Sequence, residues 1–419
     1  MNKLKRILKS LGPGFITGAS DDDPSGIATY SQTGAQFGYS QLWTPIFSYP
    51  FMTVVQEMCG RIGLVTGKGL AGVIRENYGR KVLHFAVSLL LIANVINIGA
   101  NLGAMASSAQ LIFGVPFFPL LLLFTLTVIF LEVFFKYKTY ASILKILTFS
   151  LFAYIVAGFM IHQNWKDIFY FSFIPSVSFQ KEYLLNIVAI LGTTISPYLF
   201  FWQADEEVEE EKEKKKIRSP GKGIPLFTKI DIKDMRIDTT IGMFFSNLVM
   251  FFIIMTTAST LNKTGITNIQ TATQAAEALR PIAGNFSFLL FALGIIGTGF
   301  LSVPILAGSA SYAFSEAFGW KAGFSQKFKR AHGFYSVLVI AMLVGLLINF
   351  SPIEPFRMLY YTAVINGICA PFLLILIMLI SNDHKIMGNY KNSIPVNIMG
   401  VIITVVMGGA SILLLLTII

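Results

Sequence analysis

Three consecutive aspartates, Asp21, Asp22 and Asp23, stand near the middle of an apolar segment that covers residues 11–36. Inside a membrane each carboxylate costs about 3 kcal/mol on insertion scales, so three cost roughly 9 kcal/mol, comparable with the net stability of a whole protein. Such groups must face water, carry protons or be neutralised by a cation. We therefore predict a cation site in a water-filled cavity. The alternative is a helix end with solvated acids, which the apolar residues on both sides disfavour.

The backbone around these acids is predicted to be broken. Pro24 removes a backbone donor and clashes with the preceding turn, and Gly26 favours unwinding. A second apolar segment, residues 187–202, has the same character, although an ordinary proline kink would explain it if it stood alone. Its helix-breaking and polar residues are Gly192, Thr193, Thr194, Ser196 and Pro197. Two broken helices predict a binding site at the membrane midplane, where the unwound segments face each other.

The composition indicates what positions these residues. Of the 419 residues, 54% are hydrophobic and 13% charged, against roughly 25% charged in globular proteins, which excludes a soluble enzyme and a disordered chain. The sequence predicts an all-α membrane protein with eleven transmembrane helices. The apolar windows are 11–36, 41–60, 83–112, 116–135, 140–161, 184–203, 237–260, 286–316, 333–349, 355–380 and 394–418.

The net charge of +10 follows from topology. With the N-terminus in the cytoplasm, 27 of the 32 Lys and Arg lie inside, including Lys3 to Lys9 and Lys136 to Lys145, and four lie outside. This asymmetry follows the positive-inside rule and needs no nucleic-acid partner. The C-terminus is then expected outside.

The broken first and sixth helices each lead a set of five, which predicts a 5+5 inverted repeat in a single transmembrane domain, 1–419. Repeat one covers residues 11–161 with helices 1–5, repeat two covers residues 184–380 with helices 6–10, and helix 11 covers residues 394–418.

Residues 204–235 form the longest polar stretch and are predicted to be a charged cytoplasmic loop. Two pairs at i, i+4, Glu210–Lys214 and Glu211–Lys215, favour a helix that continues from the sixth span. We interpret it as a solvated extension, and a cation-sensing or gating role is the alternative.

Several strings resemble a known family. GPGF…DPSG in the first span is similar to the GPGF…DPGN signature of the NRAMP divalent-metal transporters, and ISPY in the sixth span resembles their MPH motif. Residues 56–70 resemble that family's second-span ending, and residues 381–392 its loop after span ten. The chain is closest in character to the NRAMP-related magnesium transporters. The resemblance implies a LeuT-like fold and a divalent metal ion as cargo.

The resemblance carries over to individual site residues. Asp23 matches the family's metal-binding aspartate, and Gly26 stands where the family has a ligating asparagine. Ser196 replaces the thioether methionine, and Tyr198 replaces the histidine of MPH. Two backbone carbonyls match positions that line the metal site, those of Ser20 and Thr193.

The remaining ligands are oxygens, and oxygen ligands suit magnesium, calcium and manganese better than soft late transition metals. The loss of the asparagine at Gly26 and of the methionine at Ser196 is expected to leave space for water. Because Mg²⁺ usually keeps several waters, a partly hydrated Mg²⁺ fits this prediction, and Mn²⁺ fits equally well.

Proton coupling is expected to be weak or absent. The third span has no acidic residue between Lys81 and Glu132, and the histidines lie at span ends or in loops. Asp21 and Asp22 are the remaining candidates for proton transfer. Three asparagines on one face of the third span are predicted to line the pathway: Asn94, Asn97 and Asn101.

We therefore predict a secondary carrier and not an enzyme. It would move Mg²⁺ or Mn²⁺ across the plasma membrane into the cytoplasm by alternating access, as a monomer in the lipid bilayer and without a cofactor. The alternatives are a sodium-coupled LeuT-fold carrier of a small organic solute, a proton-coupled manganese or iron symporter, and a cation channel. The triple aspartate disfavours the first of these, because it would repel a substrate carboxylate.

Overall fold

The computed structural model describes residues 12–135, 152–161, 163–217 and 225–418. Within these ranges the chain is helical and has no β-strand, which confirms the predicted all-α class. The first helices are α1 (Pro13–Asp21), α2 (Pro24–Phe37), α3 (Thr44–Thr66), α4 (Leu70–Asn77), α5 (Arg80–Phe113), α6 (Phe117–Phe134), α7 (Phe152–Met160) and α8 (Trp165–Phe173). The later helices are α9 (Lys181–Thr194), α10 (Pro197–Glu213), α11 (Lys229–Thr260), α12 (Ala272–Ala276), α13 (Arg280–Ala283), α14 (Ser287–Phe318), α15 (His332–Ile348), α16 (Pro355–Asn382), α17 (His384–Met387) and α18 (Ile394–Ile418).

Seven segments of the described chain are long and apolar enough to cross a membrane. They are Arg80–Phe113, Phe117–Phe134, Lys181–Glu213, Lys229–Thr264, Ser287–Phe318, Pro355–Asn382 and Ile394–Thr417. The exact count of eleven spans and the repeat boundaries stay predictions. Most of the fifth predicted span, together with the basic residues Lys3 to Lys9 and Lys136 to Lys145, lies outside the described residues.

The first and sixth helices are broken where the sequence predicts. Asp22 ends α1 with non-helical torsions (φ −80°, ψ 47°), and Asp23 is extended (φ −68°, ψ 170°) before Pro24 begins α2. In the sixth helix, Ile195 and Ser196 separate α9 from α10, which begins at Pro197. A proline is favourable at the first position of a helix, because the backbone donor that it lacks would have no partner there.

The broken helices lie at the centre of the molecule. Both α1 and α2 pack on α11, α10 packs on α3, and α9 packs on α16. On the other side, α5 packs on α14, α15 and α16. The two breaks therefore lie between one group of helices that includes α3 and α11 and a second group that includes α5 and α14.

Glycines bring α11 into backbone contact with both halves of the first helix. A Cβ atom on Gly18 of α1 would overlap the backbone of Gly242, and one on Gly34 of α2 would overlap Ile254 and Thr257. Small residues permit such close approach between membrane helices. One unbroken helix thus contacts the chain on both sides of the first break.

The charged end of α10 corrects the prediction of a solvated extension. The helix does continue from the sixth span to Glu213, and Lys214 pairs with Glu210 at 3.0 Å. Lys215, however, lies beyond the helix end in the left-handed region (φ 57°), so the predicted Glu211–Lys215 pair does not form. Five acidic side chains of α10 are buried because that helix packs against α3, α4 and α14: Asp205, Glu206, Glu207, Glu209 and Glu211. Residues 218–224 of the predicted loop lie outside the described residues.

Candidate metal site

Asp23 caps the second half of the first helix. Its Oδ1 accepts hydrogen bonds from the backbone N–H of Gly26 at 2.8 Å and from the Ser25 hydroxyl at 2.6 Å. An aspartate at the N-cap satisfies a backbone donor that has no partner within the helix. The side chain is buried, with 1% of its surface exposed. The local fold therefore fixes the carboxylate at the break.

The other oxygen of Asp23 faces the third span. Asn101 of α5 donates to Oδ2 at 3.0 Å, and Asn97 lies at 3.5 Å from the same oxygen. These asparagines are themselves positioned by hydroxyls, since Asn101 Nδ2 lies 3.2 Å from Ser302 and Asn97 Oδ1 accepts from Thr362 at 3.3 Å. Two members of the predicted asparagine stripe thus reach the carboxylate.

Asn94, the third member of that stripe, does not. Its Nδ2 donates to the backbone carbonyl of Leu306 on α14 at 2.9 Å. Asn94 and Asn101 share a helix face but differ by seven residues, which separates them by about 10 Å along the axis. Asn94 therefore forms a hydrogen bond between helices, and its place along the pathway stays a prediction.

The two breaks meet, as the sequence predicts. The Tyr198 hydroxyl donates to the Ser20 carbonyl at 3.0 Å. A Cβ atom on Gly26 would lie 3.3 Å from Thr193 Oγ1 and 3.1 Å from the Asp21 carbonyl. The expectation of open space at Gly26 is therefore wrong in this conformation, because Thr193 and neighbouring groups occupy it.

The hydroxyl of Ser196, which stands just before α10, bonds to backbone carbonyls in the last turn of α9. Its Oγ lies 2.7 Å from both the Gly192 and the Thr193 carbonyl and shares its one proton between these two acceptors. The side chain is buried, and its oxygen keeps lone pairs that can still accept a cation. The Thr193 carbonyl also keeps a second lone pair. Ser196 and Thr193 therefore stay candidate oxygen ligands at the second break.

Asp21 and Asp22 contact a different helix from Asp23. Ser246 of α11 lies 2.6 Å from Asp21 Oδ2 and 3.4 Å from Asp22 Oδ1. A hydroxyl carries one proton and can donate fully to only one of the two carboxylates. The other oxygen of Asp21, Oδ1, is buried without a hydrogen-bond donor.

Four hydroxyl residues of the site were not predicted from the sequence: Ser25, Ser246, Ser302 and Thr362. Ser25 could have been inferred from its place in the DPSG string. The others are single hydroxyls within long apolar helices, and such residues often bond only to their own helix. Nothing in their spacing marks them as site residues.

The electrostatics of the site favour a cation. Three consecutive carboxylates, those of Asp21, Asp22 and Asp23, are buried together at the first break. Asp21 Oδ1 and Asn101 Oδ1 are buried acceptors without a donor. In the described part of the chain no three His, Cys, Asp or Glu side chains are arranged to hold a metal. An ion here would therefore depend on carbonyl, hydroxyl, amide and water oxygens around Asp23.

An all-helical chain whose two broken helices meet at a buried acidic site has the architecture of a membrane carrier with discontinuous helices. Residues 14–417 match the model of the family described as Nramp, natural resistance-associated macrophage protein-like. The chain therefore belongs to the Nramp family. Members of this family are transporters, which confirms the prediction that the protein is not an enzyme.

Relatives and solved structures agree with this assignment. The chain is 24% identical over 405 residues to the divalent metal cation transporter MntH of Caldanaerobacter subterraneus subsp. tengcongensis, covering 96% of this chain and 91% of that protein. The crystal structure of the Eremococcus coleocola manganese transporter superposes with a TM-score of 0.78 at 17% identity, covering 100% of this chain and 88% of that one. Mhp1, a nucleobase-cation-symport-1 family transporter, gives 0.60 at 12% identity, covering 97% and 93%. These superpositions confirm the predicted LeuT-like fold.

Proposed function

We propose that this chain is a carrier that moves a hard divalent cation, Mg²⁺ or Mn²⁺, by alternating access around Asp23. The observation that supports the proposal is the position of the Asp23 carboxylate. It is buried at the meeting point of two helix breaks, with Asn97 and Asn101 at one of its oxygens. A carboxylate in this position needs a compensating charge, and a transported cation provides one.

The ligand chemistry supports a hard ion. The proposed ligands beside the Asp23 carboxylate are the carbonyls of Ser20 and Thr193 and the hydroxyl of Ser196; Tyr198 of the second break donates to the Ser20 carbonyl, and Asn101 of α5 donates to Asp23. Carboxylate, carbonyl and hydroxyl oxygens suit Mg²⁺ and Mn²⁺, whereas thioether sulfur suits softer metals. The related proteins support the same class of cargo, since one is named as a divalent metal cation transporter and another as a manganese transporter.

The proposed orientation of the chain in the membrane follows from the distribution of its basic residues. The excess of Lys and Arg in alternate loops supports a cytoplasmic N-terminus, an outward C-terminus and a place in the plasma membrane. We propose uptake into the cytoplasm by a single chain, because the described site is built from helices of one protomer.

Proton coupling is proposed to be weak or absent. The buried third span places asparagines beside Asp23, and an amide cannot carry a proton through the membrane. The second candidate is a proton-coupled manganese symporter. It is favoured by one observation, the two carboxylates Asp21 and Asp22 that meet at the single hydroxyl of Ser246.

The proposal is tested by competition in proteoliposomes. Mn²⁺ entry is measured with a fluorescent indicator inside the vesicles while Mg²⁺, Fe²⁺ or Ca²⁺ is added outside. We expect saturable Mn²⁺ flux in which Mg²⁺ competes at least as well as Fe²⁺. Asp23→Asn removes the charge but keeps an oxygen to cap Gly26, and it should lower flux about 100-fold or more. Unchanged flux in this variant would place the ion elsewhere.

A further inference from the structure

A second acidic site lies at the charged end of α10, away from Asp23. The C-terminal part of α10 and the N-terminal part of α11 enclose a cavity of about 280 Å³. It lies on the face that we propose to be cytoplasmic. Six acidic residues line it: Glu207, Glu210, Glu211, Asp231, Asp234 and Asp238.

The basic residues that the structure describes at this cavity balance only part of its charge. Lys214 pairs with Glu210 at 3.0 Å, and Lys216 pairs with Asp231. These are the two basic residues among those that line the cavity. Six acidic and two basic side chains leave a surplus of four negative charges when all are ionised.

Two of the remaining acids are satisfied by neutral donors. Glu207 accepts from the Gln203 side chain at 2.9 Å. Asp238 accepts from the backbone N–H groups of Gly12 and Gly14 at 2.9 and 2.8 Å, and so caps the start of α1. Neutral hydrogen-bond donors thus hold these two acids in place, and neither acid forms an ion pair with a basic side chain among the described residues.

Glu211 is the exception among the buried acids of the cavity. Only 4% of its surface is exposed, it lines the cavity, and neither of its carboxylate oxygens has a hydrogen-bond partner among the described residues. A buried carboxylate without a partner is strongly unfavourable unless something else neutralises it. Two oxygens without a donor in the described part of the chain point to a ligand with positive charge. Lys214 and Lys216 do not take that place, since they pair with Glu210 and Asp231.

We propose that this cavity is a second binding site for a hydrated hard divalent cation, with Glu211 as its principal ligand. Six waters occupy about 180 Å³ in the liquid, so an ion with most of its hydration shell fits the cavity. In the described part of the chain no three acidic side chains converge closely enough to replace that shell. This ligand geometry matches Mg²⁺, which usually keeps several waters and binds one or two carboxylates.

The site adjoins the first half-helix. A Cβ atom on Gly12 would lie 3.3 Å from Glu210 Oε1 and 3.5 Å from Asp238 Oδ2. The ion would therefore bind beside the N-terminus of α1, whereas the transport site lies beyond the other end of that helix, at Asp23. The proposal goes beyond the transport function and does not depend on it, since its ligands are different residues.

The test counts bound Mn²⁺ on the purified full-length protein by the loss of the free Mn²⁺ signal in electron paramagnetic resonance. We expect two ions per chain in the wild type and one in Glu211→Gln. Glu213→Gln is the matched control, since Glu213 is an exposed acid on the same helix outside the cavity, and it should keep two. An excess of Mg²⁺ should displace the ion from the cavity. Equal stoichiometry in Glu211→Gln and wild type would overturn the proposal.

A second variant separates this site from transport. In Asp23→Asn the cavity site should still bind one Mn²⁺ and should still raise the thermal midpoint, because a ligand that binds only the folded state stabilises it. Adding Glu211→Gln should abolish both effects. If Asp23→Asn by itself removes all Mn²⁺ binding, the cavity is not a site. If it leaves two ions bound, the cavity proposal stands and the transport proposal fails.

Discussion

The two oxygens of Asp23 have different partners, and this division explains how one residue can be both structural and functional. Oδ1 is occupied by Ser25 and the Gly26 backbone, which hold the helix cap. Oδ2 accepts from the amide of Asn101, and the amide of Asn97 lies 3.5 Å from it. Those amides can rotate when an ion arrives and then offer their oxygens instead of their N–H groups.

We predict that Asn101→Ala raises the Kd for Mn²⁺ about 10- to 100-fold, a range typical of residues that orient a metal ligand. Asn101 holds Oδ2 of Asp23 at 3.0 Å, and its own oxygen is without a donor. Isothermal titration calorimetry in the Glu211→Gln background measures the change at the Asp23 site.

Asn94→Ala is the matched control for that prediction. It removes the same side chain from the same helix, but Asn94 bonds to Leu306 rather than to Asp23. We expect lower thermal stability with the Kd changed by no more than about twofold, since a typical hydrogen bond contributes about 1 kcal/mol to stability. Equal losses of affinity in the two variants would contradict a specific role for Asn101.

Ser196→Met should shift ion preference toward softer metals. The substitution places a thioether at the second break, where the structure now has a hydroxyl bonded to Gly192 and Thr193. We expect the flux ratio of Cd²⁺ to Mg²⁺ to rise about tenfold, because sulfur binds soft ions better than oxygen does. Ser196→Ala removes the hydroxyl without adding sulfur and should raise that ratio by less than the Met variant does. Equal ratios in Met and Ala variants would show that residue 196 does not face the ion.

At the scale of single residues, the sequence predicts the acids and the breaks better than their partners. Asp23 could be found because carboxylates in an apolar segment are costly. Asn94 could not be separated from Asn101, because helical periodicity gives the face of a residue and not its depth. The tight packing around Gly26 depends on Thr193 of α9, which is distant in sequence and which no local pattern reveals.

At the scale of helices, the breaks were predictable because proline and glycine act locally, whereas the burial of acids on α10 was not. From the sequence, Glu207 and Glu211 are expected to be solvated because they stand in a charged run. In the structure α10 packs against α3, and both side chains are buried. The burial of a charged helix end depends on which helices lie beside it.

We predict that Gly18→Ala destabilises the protein by about 1–3 kcal/mol, the usual range for overpacking. The added methyl group would overlap the backbone of Gly242, and backbone atoms cannot move aside as a flexible side chain can. Thermal unfolding followed by tryptophan fluorescence measures the loss, and Mn²⁺ flux should fall with it.

Gly409→Ala provides the comparison for that helix contact. Gly409 lies inside α18, and a Cβ atom there would meet nothing within 4 Å. Alanine is the better helix former by up to about 1 kcal/mol, so this variant should be as stable as the wild type or slightly more stable. A loss of stability similar to that of Gly18→Ala would mean that helix packing does not set the difference.

At the scale of the molecule, the topology and the site together predict transport without protons. Proteoliposomes that contain a pH-sensitive dye should show Mn²⁺ entry without internal acidification, because the third span offers amides rather than titratable groups beside Asp23. A proton current that depends on the metal and disappears in Asp21→Asn or Asp22→Asn would instead support the symporter.

The overall architecture could be predicted from the sequence because the patterns that indicate it extend over many residues. Apolar windows, segregated basic residues and two interrupted spans each recur along the chain, and together they predict the fold that the Eremococcus coleocola manganese transporter shares. The exact number of spans was less accessible, because broken helices and short apolar ones such as α15 blur the length criterion.

The unbroken helix α11 has a mechanical consequence. It contacts α1 at Gly18 and α2 at Gly34. Near its N-terminus, Asp238 accepts hydrogen bonds from the backbone at the start of α1. If the first helix bends at Asp22, one of these two backbone contacts must separate while the other stays closed. Since the nearest atoms to Gly18 belong to the backbone of Gly242, which cannot yield gradually as a flexible side chain can, opening on the α1 side should proceed as an abrupt step between two conformations.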